Sequence, residues 1–252
     1  MKKYLLLLLI IISIVAITET PAFAVPALQL YMPDATYYAT NPFFPDSEDS
    51  WVTTSNPFEL QVAGATSPKL VSFIDNIKLH ISLREEEYLL YQHLTTTPFL
   101  TITDNDPNIT FDEIVLYAGD FETFGKPDGI SPHAIYPTYF ASVDLPNLLV
   151  ADAGETVYDY DKNFDPENPE LSGSDSGDIQ YYTVSYDPGF MFIHFDLTGT
   201  RHGHGEAKDI FAPYSHDADA IVPEPATMLL LGSGLMGLAA AIGRKKKETL
   251  RK

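Results

Sequence analysis

Two short stretches of the chain hold the residue types that bind metal ions. The first runs Asp159-Tyr160-Asp161-Lys162-Asn163-Phe164-Asp165-Pro166-Glu167-Asn168-Pro169-Glu170. Counted from Asp159, oxygen-bearing side chains fall at positions 1, 3, 5, 7, 9 and 12. Calcium takes about six to eight hard oxygens, and this alternation lets one loop wrap the ion. The spacing predicts a calcium site on Asp159, Asp161, Asn163, Asp165 and Glu170, against the plainer reading of a solvated acidic loop. Phe164 stands where the sharp turn of such a loop takes Gly, and Pro166 and Pro169 stiffen the chain. No flanking helices are expected, which argues against an EF-hand.

The second stretch is His202-Gly203-His204-Gly205-Glu206, with Asp209 and His216-Asp217 downstream. An extended His-x-His can turn two imidazoles onto one ion, and a third ligand completes the set. The candidate ligands are His202, His204 and His216. The interleaved glycines keep the loop flexible, which opposes a preformed site. His80 and His194 lie opposite apolar alternations, so both are expected at the surface.

Catalytic signatures are missing. The chain has no Gly-x-Ser-x-Gly elbow, no His-Glu-x-x-His, no phosphate-binding glycine loop and no Cys nucleophile. Paired carboxylates about 5 to 9.5 Å apart hydrolyse glycosides, but no spacing here singles out two of them. A metal-dependent enzyme would need His202, His204 and His216 to converge. No catalytic residue is therefore assigned, and the chain is read as a non-enzyme. A carboxylate-dependent glycoside hydrolase acting on matrix polysaccharide is the alternative.

The elements that would hold these residues read as strands. From Val71 to Leu83 apolar and polar residues alternate, with Ile74 and Asp75 breaking the pattern where a bulge is expected. Met191, Ile193, Phe195 and Leu197 alternate with His194 and Asp196. Further strands are expected near residues 27–32, 58–62, 99–103, 114–117, 148–151 and 180–186. Asp187-Pro188-Gly189 reads as the turn of a hairpin between strands at 179–186 and 190–198. Leu83 to Tyr91 reads as a short helix or as a charged turn feeding a strand, with the turn and strand preferred, and Asp159 to Asp178 as a long surface loop. Short strands with polar loops make the fold class all-β, an antiparallel β-sandwich of jelly-roll or Ig-like type.

Both ends stand apart from that body. Met1-Lys2-Lys3, an apolar run from Tyr4 to Ile17, and Ala22-Phe23-Ala24 form a signal peptide over 1–24. Ala22 and Ala24 suit the shallow pocket of signal peptidase. At the other end Pro223-Glu224-Pro225 precedes Ala226 to Gly243, which is 18 residues without a charge. At about 1.5 Å per residue that spans roughly 27 Å, enough for a transmembrane helix. Arg244-Lys245-Lys246-Lys247 follows and stays cytoplasmic, so the body lies outside. The expected order is an ectodomain at 25–217, a linker at 218–222, a sorting tail at 223–247 and a basic end at 248–252.

Residues 25–225 hold 7 Lys and Arg against 33 Asp and Glu, a formal net charge of −26, compared with −20 for the whole chain. That field repels nucleic acid and anionic membrane surfaces. No cysteine is present, so no disulfide staples the exported domain; some two hundred residues bury a sufficient core unaided.

Pro-Glu-Pro, an apolar helix and an Arg/Lys cluster in that order resemble the PEP-CTERM sorting signal over about 30 residues. The resemblance implies processing by an exosortase near Pro223, Glu224 and Pro225, with membrane attachment through the helix only until then. It also implies an exopolysaccharide and biofilm setting. Ala27 to Tyr31, Trp51 to Thr54, Asn56-Pro57-Phe58, Pro132 to Thr138 and Ser215 to Ala218 make the body resemble the choice-of-anchor proteins, subtype N. That family brings no activity to transfer. The expected partners are signal peptidase, exosortase and exopolysaccharide, with Ca²⁺ as the candidate cofactor. The expected destination is the cell surface or extracellular matrix.

Overall fold

The computed structural model describes residues 25–39, 49–66, 71–93, 98–105, 113–131, 135–151, 153–187, 192–203, 205–213 and 216–221. The signal peptide expected at 1–24 and the tail from 222 onward lie outside the described residues. Among the described residues fourteen strands form two sheets. The first sheet runs β1 (Leu28–Tyr31), β4 (Phe58–Ala65), β11 (Ser174–Tyr186), β6 (Leu100–Asp104), β7 (Ile114–Leu116), and β10 (Glu155–Tyr158) also pairs with β11. The second runs β2 (Thr36–Tyr38), β3 (Ser50–Thr53), β14 (Asp217–Ile221), β12 (Phe192–Gly203), β5 (Val71–Leu83), β9 (Thr138–Asp144), β8 (Glu122–Gly125). There β13 (Lys208–Phe211) adds to β12.

Alternation supplies the shared core. Leu30, Leu60, Val62, Tyr182 and Val184 of the first sheet join one apolar cluster with Ile77, Leu79, Ile81, Ile193, Phe195 and Leu197 of the second. None of these is more than 1 % exposed. Phe58 and Phe195 meet across the sheets with ring centroids 5.8 Å apart. The fold is all-β and sandwich-like. It is not wholly antiparallel, because β14 runs parallel to β3.

The bulge expected in β5 falls at Asn76. Lys78 pairs with Thr198 and Asp75 with Thr200, so two residues of β5 oppose Gly199 alone. Asn76 takes φ 48°, a left-handed conformation that a short polar side chain tolerates. The extra residue flips the pleat, so that Ile74 before it and Ile77 after it both reach the core.

Several expectations need correction. β11 and β12 do not form a hairpin; they lie in different sheets, and the chain crosses between them after Asp187. Glu85–Tyr91 is a helix, α1, not a turn and strand. Its three first-turn glutamates suit a helix N-terminus, and Tyr88 stacks on Tyr139 at 3.9 Å. Residues 148–151 are not a strand; Leu148 makes a single bridge to Ile74. The surface loop expected to reach Asp178 ends earlier, because Ser174 already opens β11. The linker expected over 218–222 is, up to Ile221, the buried strand β14. Its small residues Ala218 and Ala220 face the core, where tight packing disguises a strand as a linker.

Candidate functional site

The acidic loop leaves β10 at Tyr158 and is tied to the sandwich at its start. Gln29 donates to the Tyr158 carbonyl at 3.0 Å and accepts from the Tyr160 amide at 3.1 Å. Trp51 Nε1 donates to the Tyr160 carbonyl at 2.8 Å. Phe164, at the position where a calcium loop takes Gly, packs edge-on against Tyr31, Trp51 and Tyr160. The candidate calcium ligands then separate. Asp159 is buried and bonds His216 Nε2 at 2.8 Å. Asp161 accepts from the Asn163 amide and side chain, both at 2.7 Å. Asp165 accepts from Asn168 Nδ2 at 2.8 Å and the Glu167 amide at 3.0 Å. Those two hydrogen bonds, the Asn168 bond first, hold its carboxyl below the usual range. Glu170 is exposed in a 3-10 turn, residues Pro169–Leu171.

The candidate histidine ligands divide as well. His202 stacks on Phe73 at 4.3 Å and bonds Asp75 at 2.9 Å. His216 is committed to Asp159. His204 lies outside the described residues. Thus one residue of each predicted metal set, His216 and Asp159, pairs with the other.

The structure gathers a different group. Among the described residues, one set of His, Asp and Glu has ligand atoms all within 4.8 Å of one another: His194, Asp196 and Asp217. β12 pairs with β14 through His194↔Asp219 and Phe195↔Ala218. Phe195 and Ala218 point into the shared core, so His194, Asp196, Asp217 and Asp219 occupy the opposite face. That outer face is itself covered. Val52, Ile135, Phe192 and Ile221 form a second apolar cluster beside it. His194 and His80, both expected at the surface, are instead 1 % and 2 % exposed.

Hydrogen bonds fix the group in place. Asp219 meets His194 Nδ1 at 2.8 Å, while His194 Nε2 lies 3.2 Å from Asp196. Ser50 donates to the other oxygen of Asp219. Tyr136 donates to Asp196 and meets Ser82 at 2.8 Å. Burial alone would lower the His194 pKa, but the Asp196 and Asp219 carboxylates outweigh it and hold the imidazole well above its ordinary value. Burial first, then Asp196, pushes the Tyr136 hydroxyl far up, so it stays a donor. Sequence reading missed this set because its members stand on two strands, β12 and β14, whose pairing the sequence does not reveal. The visible signal was polar residues at alternate positions of otherwise apolar strands: His194 and Asp196, then Asp217 and Asp219.

Residues 222–245 match the PEP-CTERM protein-sorting motif. The match begins directly after Ile221, the last residue of β14. The motif implies a secreted protein with a C-terminal membrane-anchored sorting signal and exosortase as its processing partner. No curated protein matches the chain. Among the described residues no helix is long and apolar enough to cross a membrane; the apolar segment at 226–243 lies outside them.

Proposed function

We propose that the chain is an exported surface or matrix protein whose sandwich is non-catalytic and is freed from its membrane tail by an exosortase. The sorting motif at 222–245, set against the end of the last strand, carries this reading. Cleavage near Pro223 to Pro225 leaves every described strand intact. The acidity of the body, −26 over residues 25–225, suits a soluble product outside the cell. The buried carboxylates Asp196, Asp217 and Asp219 are closed off from any sugar chain. A matrix polysaccharide is the ligand class that the exosortase setting suggests. Two adjoining clefts on the outer face of the second sheet, sharing Lys78 and Asp128, offer mixed polar and aromatic linings to one.

The test is processing in a host that makes the exosortase. Wild-type chain is expected to pass from the membrane fraction to a shorter form lacking the tail. Glu224→Ala is expected to remain full-length in the membrane. Release of that variant at the wild-type rate and mass would overturn the reading.

A further inference from the structure

We propose that His194, Asp196 and Asp217 form a binding site for a divalent transition metal of the zinc or manganese class, with Asp219 as the residue that orients the imidazole. The donor set is one imidazole nitrogen and two carboxylate oxygens. Such a mixed set suits Zn²⁺ or Mn²⁺, whereas calcium favours oxygen alone. Donors around an ion bonded at about 2.1 Å stand roughly 3 to 4 Å apart. The three ligand atoms already lie within 4.8 Å of one another, so closing on an ion needs a movement of about 1 Å.

The scaffold favours such a site. All three donors stand on paired neighbouring strands of one sheet, between a buried core and a second apolar cluster. Rigid strands hold ligand geometry better than loops. Asp219 takes Nδ1 of His194, which turns Nε2 toward Asp196. A carboxylate on the far nitrogen is the usual means by which proteins fix a metal-binding imidazole. Ser50 holds Asp219 and Tyr136 holds Asp196, so the surrounding shell is also anchored. Two carboxylates brought together on one buried face repel each other. A divalent ion between them, taking Nε2 of His194 in place of its proton, which passes to solvent, converts that repulsion into coordination.

The inference does not depend on exosortase processing and is tested on the full chain purified in detergent. After dialysis against a chelator, Zn²⁺ and Mn²⁺ are titrated separately, with Ca²⁺ as comparison. One equivalent of Zn²⁺ or Mn²⁺ per chain is expected to bind and to raise the melting temperature. Asp217→Asn, which keeps the side-chain shape, is expected to weaken binding at least about tenfold. A His202→Ala/His204→Ala double variant is expected to bind as wild type. Electron spin-echo spectroscopy of the Mn²⁺-loaded wild type should show one imidazole nitrogen, and it needs no variant to fold. The proposal is overturned by no stoichiometric uptake, by a spectrum without imidazole nitrogen, or by loss of binding in the double variant alone.

Discussion

His80 sits on β5 with Nδ1 2.7 Å from Ser142 and Nε2 2.8 Å from Thr198. Both partners are neutral hydroxyls, so a proton on the ring gains no counter-charge from its hydrogen bonds. Burial lowers its pKa to about 4, Asp196 opposes that, and Lys78 adds to it. Glu122, Lys126 and Asp128 also face the adjoining cleft. The sign follows from comparing folded and unfolded chains. The unfolded histidine takes up its proton near pH 6.5, whereas the folded one resists until about pH 4. Stability from this residue is complete above pH 6.5 and drains away as pH falls toward 4. Between pH 7.5 and 4.5 the loss is about 2 to 3 kcal/mol. Urea unfolding of wild type and His80→Gln at both pH values checks this: the variant should lose less stability by about that margin. Equal losses would mean His80 does not titrate differently on folding. Its burial could not be read from the sequence. Alternation assigned His80 and His194 to the face away from the core, correctly, but a two-residue period carries no information on whether that second face is covered. Ile135 and Tyr136, more than fifty residues from His80, help cover it.

At the level of elements, β11 is clamped between β10, β4 and β6. Gly177 is where three strands crowd. It pairs with Ala65 on one side and Glu155 on the other. A Cβ there would lie 2.0 Å from the Gly64 carbonyl oxygen and 2.6 Å from Val157 Cγ2. The obstruction is backbone, so no rotamer change relieves it. Gly177→Ala is expected to cost about 2 to 3 kcal/mol, read as a lower denaturation midpoint. Gly119→Ala, where an added Cβ meets nothing within 4 Å, should stay within about 0.5 kcal/mol of wild type. Comparable losses in both would show that crowding at Gly177 is not the cause. The long strand β5 was legible end to end, because alternation on both sides of its bulge leaves little room for another reading. Strand pairing was not legible. Asp187-Pro188-Gly189 looks like a hairpin turn, yet the strands beside it belong to separate sheets. Both strands bury apolar residues into the same core from opposite sides, and local turn chemistry does not register which sheet receives each strand. The short strands β2, β3, β8, β9, β10, β13 and β14 also went unread, since three to seven residues of mixed character show no reliable period.

For the whole molecule, β14 decides where the domain ends. It lies between β3 and β12 inside the second sheet, parallel to the one and antiparallel to the other. All five of its residues are buried. Its core-facing alanines pack under Trp51 and Phe195 in the same cluster, and its outer-facing aspartates reach His194. Removing it would split the sheet and expose two strand edges together with Phe192 and Val52. The sorting motif begins at the next residue. A cut only a few residues earlier would enter the core. A chain ending at Ile221 is therefore expected to melt cooperatively at the temperature of the full-length body. A chain ending at His216 is expected to lose that transition and to bind a dye for exposed apolar surface. Circular dichroism melts of the two truncations decide the matter. A cooperative, native-like melt without residues 217–221 would place the boundary of the folded unit before β14 and restore a linker there. The compositional cues for a linker, small residues and aspartates ahead of a proline, are the same residues that let β14 thread between two strands and carry carboxylates to a buried histidine.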